Sequence, residues 1–66
     1  MNIKDVAARV AEIQRNMDDD EHSHMLEDNL YTDLLQSIRD GSCRNPKKCA
    51  AIALMTEHIM FSRWYA

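Results

Sequence analysis

The sequence predicts an all-α protein: three helices, about residues 3–17, 19–40 and 46–60, packed as a small helical bundle that homodimerisation completes. Three observations carry this prediction. Gly41 and Pro46 are the only glycine and proline in 66 residues, so a chain of helix-favouring residues has one obvious break. Apolar residues recur at spacings of three and four, and no stretch alternates as a strand would. Finally, a chain of 66 residues builds a core that supplies only about 3–5 kcal/mol, and a second copy is the simplest supplement. Residues 1–66 are read as a single helical domain.

The first helix places Ile3, Val6, Val10, Ile13 and Met17 in a narrow apolar seam, with Ala7 and Ala11 beside them. Asn2 is its expected N-cap, accepting from the backbone N–H near Asp5, whose carboxylate favours the positive helix end. Asn16 to Asp20 then gathers poor helix formers, and Asp18 with Glu21 three positions on reads as a capping box. The pattern leaves both a true break and a kinked helix running on to Asp40 open.

Laid out at 100° per residue, the second helix shows Leu26, Leu30, Tyr31, Leu34, Leu35 and Ile38 on one broad face, opposite Asp28, Asp33, Gln36 and Asp40. Gly41 supplies the left-handed residue that closes it. The short loop 42–45 requires the third helix to return as an antiparallel neighbour. Asn45 is its expected cap and Pro46 its first residue, where the missing N–H costs nothing. Cys49, Ile52, Ala53, Leu54, Met55, Ile59, Met60 and Phe61 cover more than one side of it, as a helix with two neighbours would. The last six residues hold three of the four aromatics, Phe61, Tyr65 and the sole Trp64, and this tail is expected to dock. The expected core and interface residues are therefore Ile3, Val6, Val10, Ile13, Leu26, Leu30, Leu34, Ile38, Ile52, Ile59, Phe61 and Trp64.

Net charge is −3, unevenly spread. Residues 18–40 carry eight carboxylates against Arg39 alone, while residues 41–66 carry Arg44, Lys47, Lys48 and Arg63 against Glu57. The acidic middle is expected to lie against the basic end, within one molecule or across a dimer. No apolar run approaches the roughly 20 residues that span a bilayer, and Met1 to Arg15 lacks a hydrophobic signal segment, so a cytoplasmic protein is expected. Cys43 and Cys49 are then expected to be reduced thiols, Cys49 in the core and Cys43 at least half exposed.

No catalytic or cofactor signature is present. Glu27 is the main anomaly: it sits on the apolar face with His24 one turn before and Tyr31 one turn after. A buried carboxylate needs donors, so the expected arrangement is a polar network in which Glu27 accepts from His24, Tyr31 or Arg63. A His24–Glu27 metal pair or acid–base pair is the sharper but less favoured reading. A zinc site from Cys43, Cys49 and two of His22, His24 and His58 is disfavoured, because five residues separate the cysteines where a knuckle needs two to four. Lys47 and Lys48 occupy a helix start, where the dipole disfavours cations. They are read as answering the acidic middle. The rival reading, a phosphate or nucleic-acid grip with Arg39 and Arg44, fits poorly with an isoelectric point near 5.4, so neither cofactor nor nucleic acid is expected.

The stretch from Asp19 through Glu27, Asp28, Leu30, Tyr31, Leu34, Leu35 and Ile38 to Gly41, with Ala53, Leu54, Thr56, Ile59, Phe61 and the Arg63-Trp64-Tyr65-Ala66 ending, resembles small proteins of lambdoid phages and prophages. In particular it looks like the small accessory products encoded in the early region between the recombination and excision genes. The resemblance covers residues 18–66 and contains no catalytic motif. Met60 stands where related sequences lead one to expect a charged residue. The resemblance implies a non-enzymatic regulatory protein of the host cytoplasm. Such a protein would contact an unidentified host or phage protein and influence the lysis–lysogeny choice or prophage induction. The alternative is an acidic nucleic-acid mimic that occupies a host DNA-binding protein.

Overall fold

The computed structural model describes residues 1–63; the expected docking of Trp64 falls outside them. Three α-helices follow one another, α1 (Ile3–Arg15), α2 (Asp20–Arg39) and α3 (Pro46–Ala53), and a 3-10 turn, Leu54–His58, extends α3. No strand occurs among the described residues. Helix α2 is the spine: its 20 residues span about 30 Å, close to the 33 Å long axis of the molecule. Helix α1 lies against both α2 and α3, and the 3-10 turn also reaches α1.

Each helix end has a local cause. Asn2 caps α1 by accepting from Asp5 N–H at 2.9 Å, and the Asp5 carboxylate accepts from Asn2 N–H at 3.1 Å, a reciprocal capping box. Asn16 ends α1 and opens the turn: its backbone N–H donates to Ile13 O, its side-chain amide to Glu12 O, and its carbonyl accepts from Asp19 N–H and the Ser23 hydroxyl. These bonds make α1 and α2 separate helices, the first two residues shorter than predicted. The cap of α2 is Asp19, which accepts from His22 N–H at 3.1 Å, rather than the expected Asp18.

Gly41, at φ 75°, closes α2 with both bonds of a Schellman motif, Ser42 N–H to Ser37 O and Gly41 N–H to Ile38 O. Asn45 departs from the prediction. It sits in the left-handed region at φ 56° and makes no side-chain cap, because capping geometry needs an extended backbone. Arg44 N–H donates to Met1 O, which ties this loop to the start of α1.

The seam of α1 closes within the chain. Val6 and Ile13 are fully buried beside Leu30, Leu34, Cys49, Ala53 and Ile59, while Ile3, Val10, Met17, Leu26, Tyr31, Cys43, Ile52 and Phe61 pack half-buried around them. The buried stripe of α2 runs Ser23, Glu27, Leu30, Leu34, Ser37, with steps of four and three. Two small serines let the neighbouring backbones approach there. Leu35 and Ile38 fall outside that stripe and face solvent, at 66% and 39% exposure. Ile38 is thus surface in the isolated chain, not core.

The third helix stops at Ala53 as an α-helix, seven residues short of the predicted end. Beyond it the chain tightens and then extends from Ile59, whose N–H closes the 3-10 turn onto Thr56 O; past this point the backbone carbonyls no longer serve a helix.

Candidate functional site: a polar clasp and an apolar face

Glu27 is buried on α2, and Arg63 returns from the chain end to meet it. The guanidinium donates Nε to Glu27 Oε1 at 2.8 Å and Nη2 to Oε2 at 3.1 Å, a bidentate pair. The same Nη2 donates to Thr56 O at 2.6 Å and Ile59 O at 3.2 Å, and Nη1 to Phe61 O at 3.3 Å. Thr56 O is shared, accepting from Ile59 N–H at 3.0 Å as well as from Arg63. The Arg63 carbon lies 3.8 Å from the centre of the Phe61 ring, adding a cation–π contact.

The carboxylate is also served from the other side. Tyr31 Oη and Thr56 Oγ1 are hydrogen-bonded at 2.5 Å, either hydroxyl being able to donate, and Thr56 lies close enough to Glu27 to favour its charged form. Burial alone would push the Glu27 carboxyl up. Hydrogen bonds from Arg63 and then Thr56, with the Arg63 charge and a smaller His24 effect, outweigh it and hold the carboxyl below its ordinary 4.5. The Arg63 guanidinium is pushed up in turn, chiefly by Glu27.

His24 joins this cluster at its edge. Its Nε2 stands 3.7 Å from Asp28 rather than on Glu27. Of the four residues expected in the polar network, the structure brings Glu27, Tyr31 and Arg63 together through Thr56. Sequence reasoning missed Thr56, although it lies seven residues before Arg63 on the element facing α2. Among the described residues, no three or more His, Cys, Asp or Glu side chains converge as a metal site. Every oxygen of Glu27 is occupied by a donor, so the carboxylate is a structural acceptor rather than a poised base.

A second ion pair, Arg9 to Asp33 at 3.0 Å, ties α1 to α2. Both of these long-range pairs, Arg9–Asp33 and Arg63–Glu27, join the acidic middle to a basic flank of the same chain. Lys47 and Lys48 are exposed and take part in no ion pair among the described residues. Cys43 and Cys49 are free thiols, the first half-buried and the second fully buried. Burial, then the neighbouring Cys43 thiol, raises the pKa of Cys49 above 9.0.

The apolar face is on the far side of α2 from α1. A groove of about 250 Å³ runs between α2 and α3, lined by Tyr31, Leu34, Leu35, Ala50, Ala53 and Leu54, with hardly a polar atom on its walls. Leu35 at 66%, Leu54 at 51% and Met55 at 57% exposure stand at or beside its rim. The groove exists because small Ala50 and Ala53 face α2 where longer residues would close the gap. Comparison with protein-family models, curated proteins and solved structures finds no match for this chain. No helix among the described residues is long and apolar enough to cross a membrane.

Proposed function

We propose that this chain is a non-enzymatic interaction protein that engages another protein chain through the α2–α3 face. The single observation that carries the reading is the exposed apolar groove with Leu35 and Leu54 at its rim. Contiguous apolar surface of this kind is a characteristic of protein contact sites, where scattered single residues would need no explanation. The clasp supports the same reading: its buried carboxylate takes a bidentate pair from Arg63, so both Glu27 oxygens are committed to holding the fold.

The setting we propose comes from the resemblance of residues 18–66 to lambdoid-phage accessory products. In that setting the protein acts in the host cytoplasm and influences the lysis–lysogeny choice or prophage induction by contact with a host or phage protein. The acidic-mimic reading draws less support. Asp33 is paired with Arg9, Glu27 with Arg63 and Asp40 with Arg39, so these acids do not form a continuous phosphate-like row.

The test is affinity capture from infected or lysogenic cells with the wild-type chain and with a Leu35→Glu, Leu54→Glu variant. A specific protein captured by the wild type and lost with the variant supports the reading. Identical profiles from the two chains refute it.

A further inference from the structure

The α2–α3 face carries more than apolar surface, because its charges are sorted along its length. Glu21, Asp28, Leu35 and Arg39 share one face of α2, since seven residues make nearly two turns and Arg39 is one turn beyond Leu35. All four are exposed, with side-chain exposures of 63% for Asp28 and 70% for Arg39. The stripe therefore begins acidic, is apolar in the middle and ends at Arg39, which Asp40 already pairs at 3.0 Å, so Arg44, Lys47 and Lys48 supply the net positive charge of this end. Helix α3 runs back alongside α2 and repeats the same order. Its start, with Arg44, Lys47 and Lys48, lies by the basic end of α2; Glu57 follows Thr56, whose hydroxyl meets Tyr31 nearer the acidic end.

We propose that the occupant of this face is a second copy of the chain, docked about a two-fold axis with the α2 helices antiparallel and Asp28 of each chain against Arg39 of the other. This rests on the reading that the α2–α3 face binds protein, and names the partner. A two-fold axis across the groove turns each basic end onto the other chain's acidic end, whereas parallel docking would set like charge on like. The same axis passes between positions 33 and 34, midway from Asp28 to Arg39, and so brings Leu35 opposite Thr32 of the partner subunit, beside the partner's Tyr31 at its groove wall. The leucine that protrudes most on α2 then meets the partner's groove, and the contact is made twice.

This docking also accounts for the two cations at the start of α3. Lys47 and Lys48 oppose their own helix dipole and find no acid within the described chain, but lie on the end that faces Glu21 and Asp28 of the partner subunit. Symmetry doubles each of these contacts, so modest surface attractions act together.

Sedimentation equilibrium on purified full-length chain tests the pairing, with circular dichroism to confirm that each variant keeps its helices. The wild type is expected to be dimeric at micromolar concentration, and Leu35→Glu monomeric. Asp28→Arg and Arg39→Asp are each expected to weaken association about tenfold or more, and the Asp28→Arg, Arg39→Asp double variant to regain most of the loss. A wild type that stays monomeric to hundreds of micromolar overturns the proposal, as does a double variant that associates no better than either single one. If association fails while Leu35→Glu still abolishes capture of a cellular protein, self-pairing falls and the interaction face stands. If Leu35→Glu alters neither, both fall.

Discussion

Removing the Glu27 carboxylate tests the energetic core of this fold. In Glu27→Gln the side chain keeps its size, but Arg63 loses its counter-charge while Nη2 and Nη1 remain on the carbonyls of Thr56, Ile59 and Phe61. Breaking a fully buried pair from one side costs about 3–5 kcal/mol. Here the Arg63 side chain is 33% exposed and Glu27 only 7%, so the arginine can recover part of its hydration. That discount brings the expected cost to about 2 kcal/mol, roughly half of what a core of this size supplies. With a urea dependence of about 1 kcal/mol per molar, the unfolding midpoint should fall by about 2 M. The assay is urea unfolding followed by far-ultraviolet circular dichroism, at one protein concentration so that any self-association is held constant. A double-mutant cycle with Arg63→Met isolates the pair, and a coupling of about 2 kcal/mol is expected. A coupling below about 0.5 kcal/mol, the level of an exposed surface pair, would refute the claim that the clasp holds the chain end to α2.

The same clasp sets an acid limit: a carboxyl held below 4.5 in the fold contributes stability at neutral pH that is lost as pH falls through its folded value, so Glu27→Gln should flatten the acid limb of a stability–pH curve. Two leucines five residues apart should behave oppositely in thermal unfolding. Leu30→Ala, at a site with no exposure, should cost about 3 kcal/mol and leave the chain largely unfolded, while Leu35→Ala should leave the monomer's stability within about 0.5 kcal/mol. Gly41→Ala forces a Cβ into φ 75° and should cost about 1 kcal/mol by denaturant titration even though open space surrounds the site, whereas Asn45→Gly should not destabilise. Timed alkylation read by mass spectrometry should modify Cys43 well before Cys49, whose thiol is buried and whose thiolate is disfavoured; equal rates would contradict the described burial.

Much of the fold was legible because its signals are local. The spacing of Ile3, Val6, Val10 and Ile13, the Asn2 cap, the left-handed Gly41 and the start at Pro46 each depend on residues within one or two turns of one another. The errors lie where a distant partner competes. Thr56 falls inside the predicted third helix, yet its carbonyl is shared between Ile59 N–H and Arg63 and its hydroxyl meets Tyr31, contacts that the packed chain defines. The apolar face of α2 was read from its leucines, but burial followed Ser23, Glu27 and Ser37, because small and paired polar groups can sit where backbones come close. Glu27 itself stands out in the sequence as an anomaly, and Arg63 is one of the three donors expected for it.

What the amino-acid order determined alone is helical content, the starts of the first and third helices and the stop of the second at Gly41, since caps, glycine geometry and apolar period act over a few residues. The packing decided which of several apolar residues turn inward, which arginine clamps the buried carboxylate, and that an apolar groove remains open between α2 and α3. Those outcomes depend on the distance between segments 25 to 36 residues apart, a quantity that local preferences do not encode.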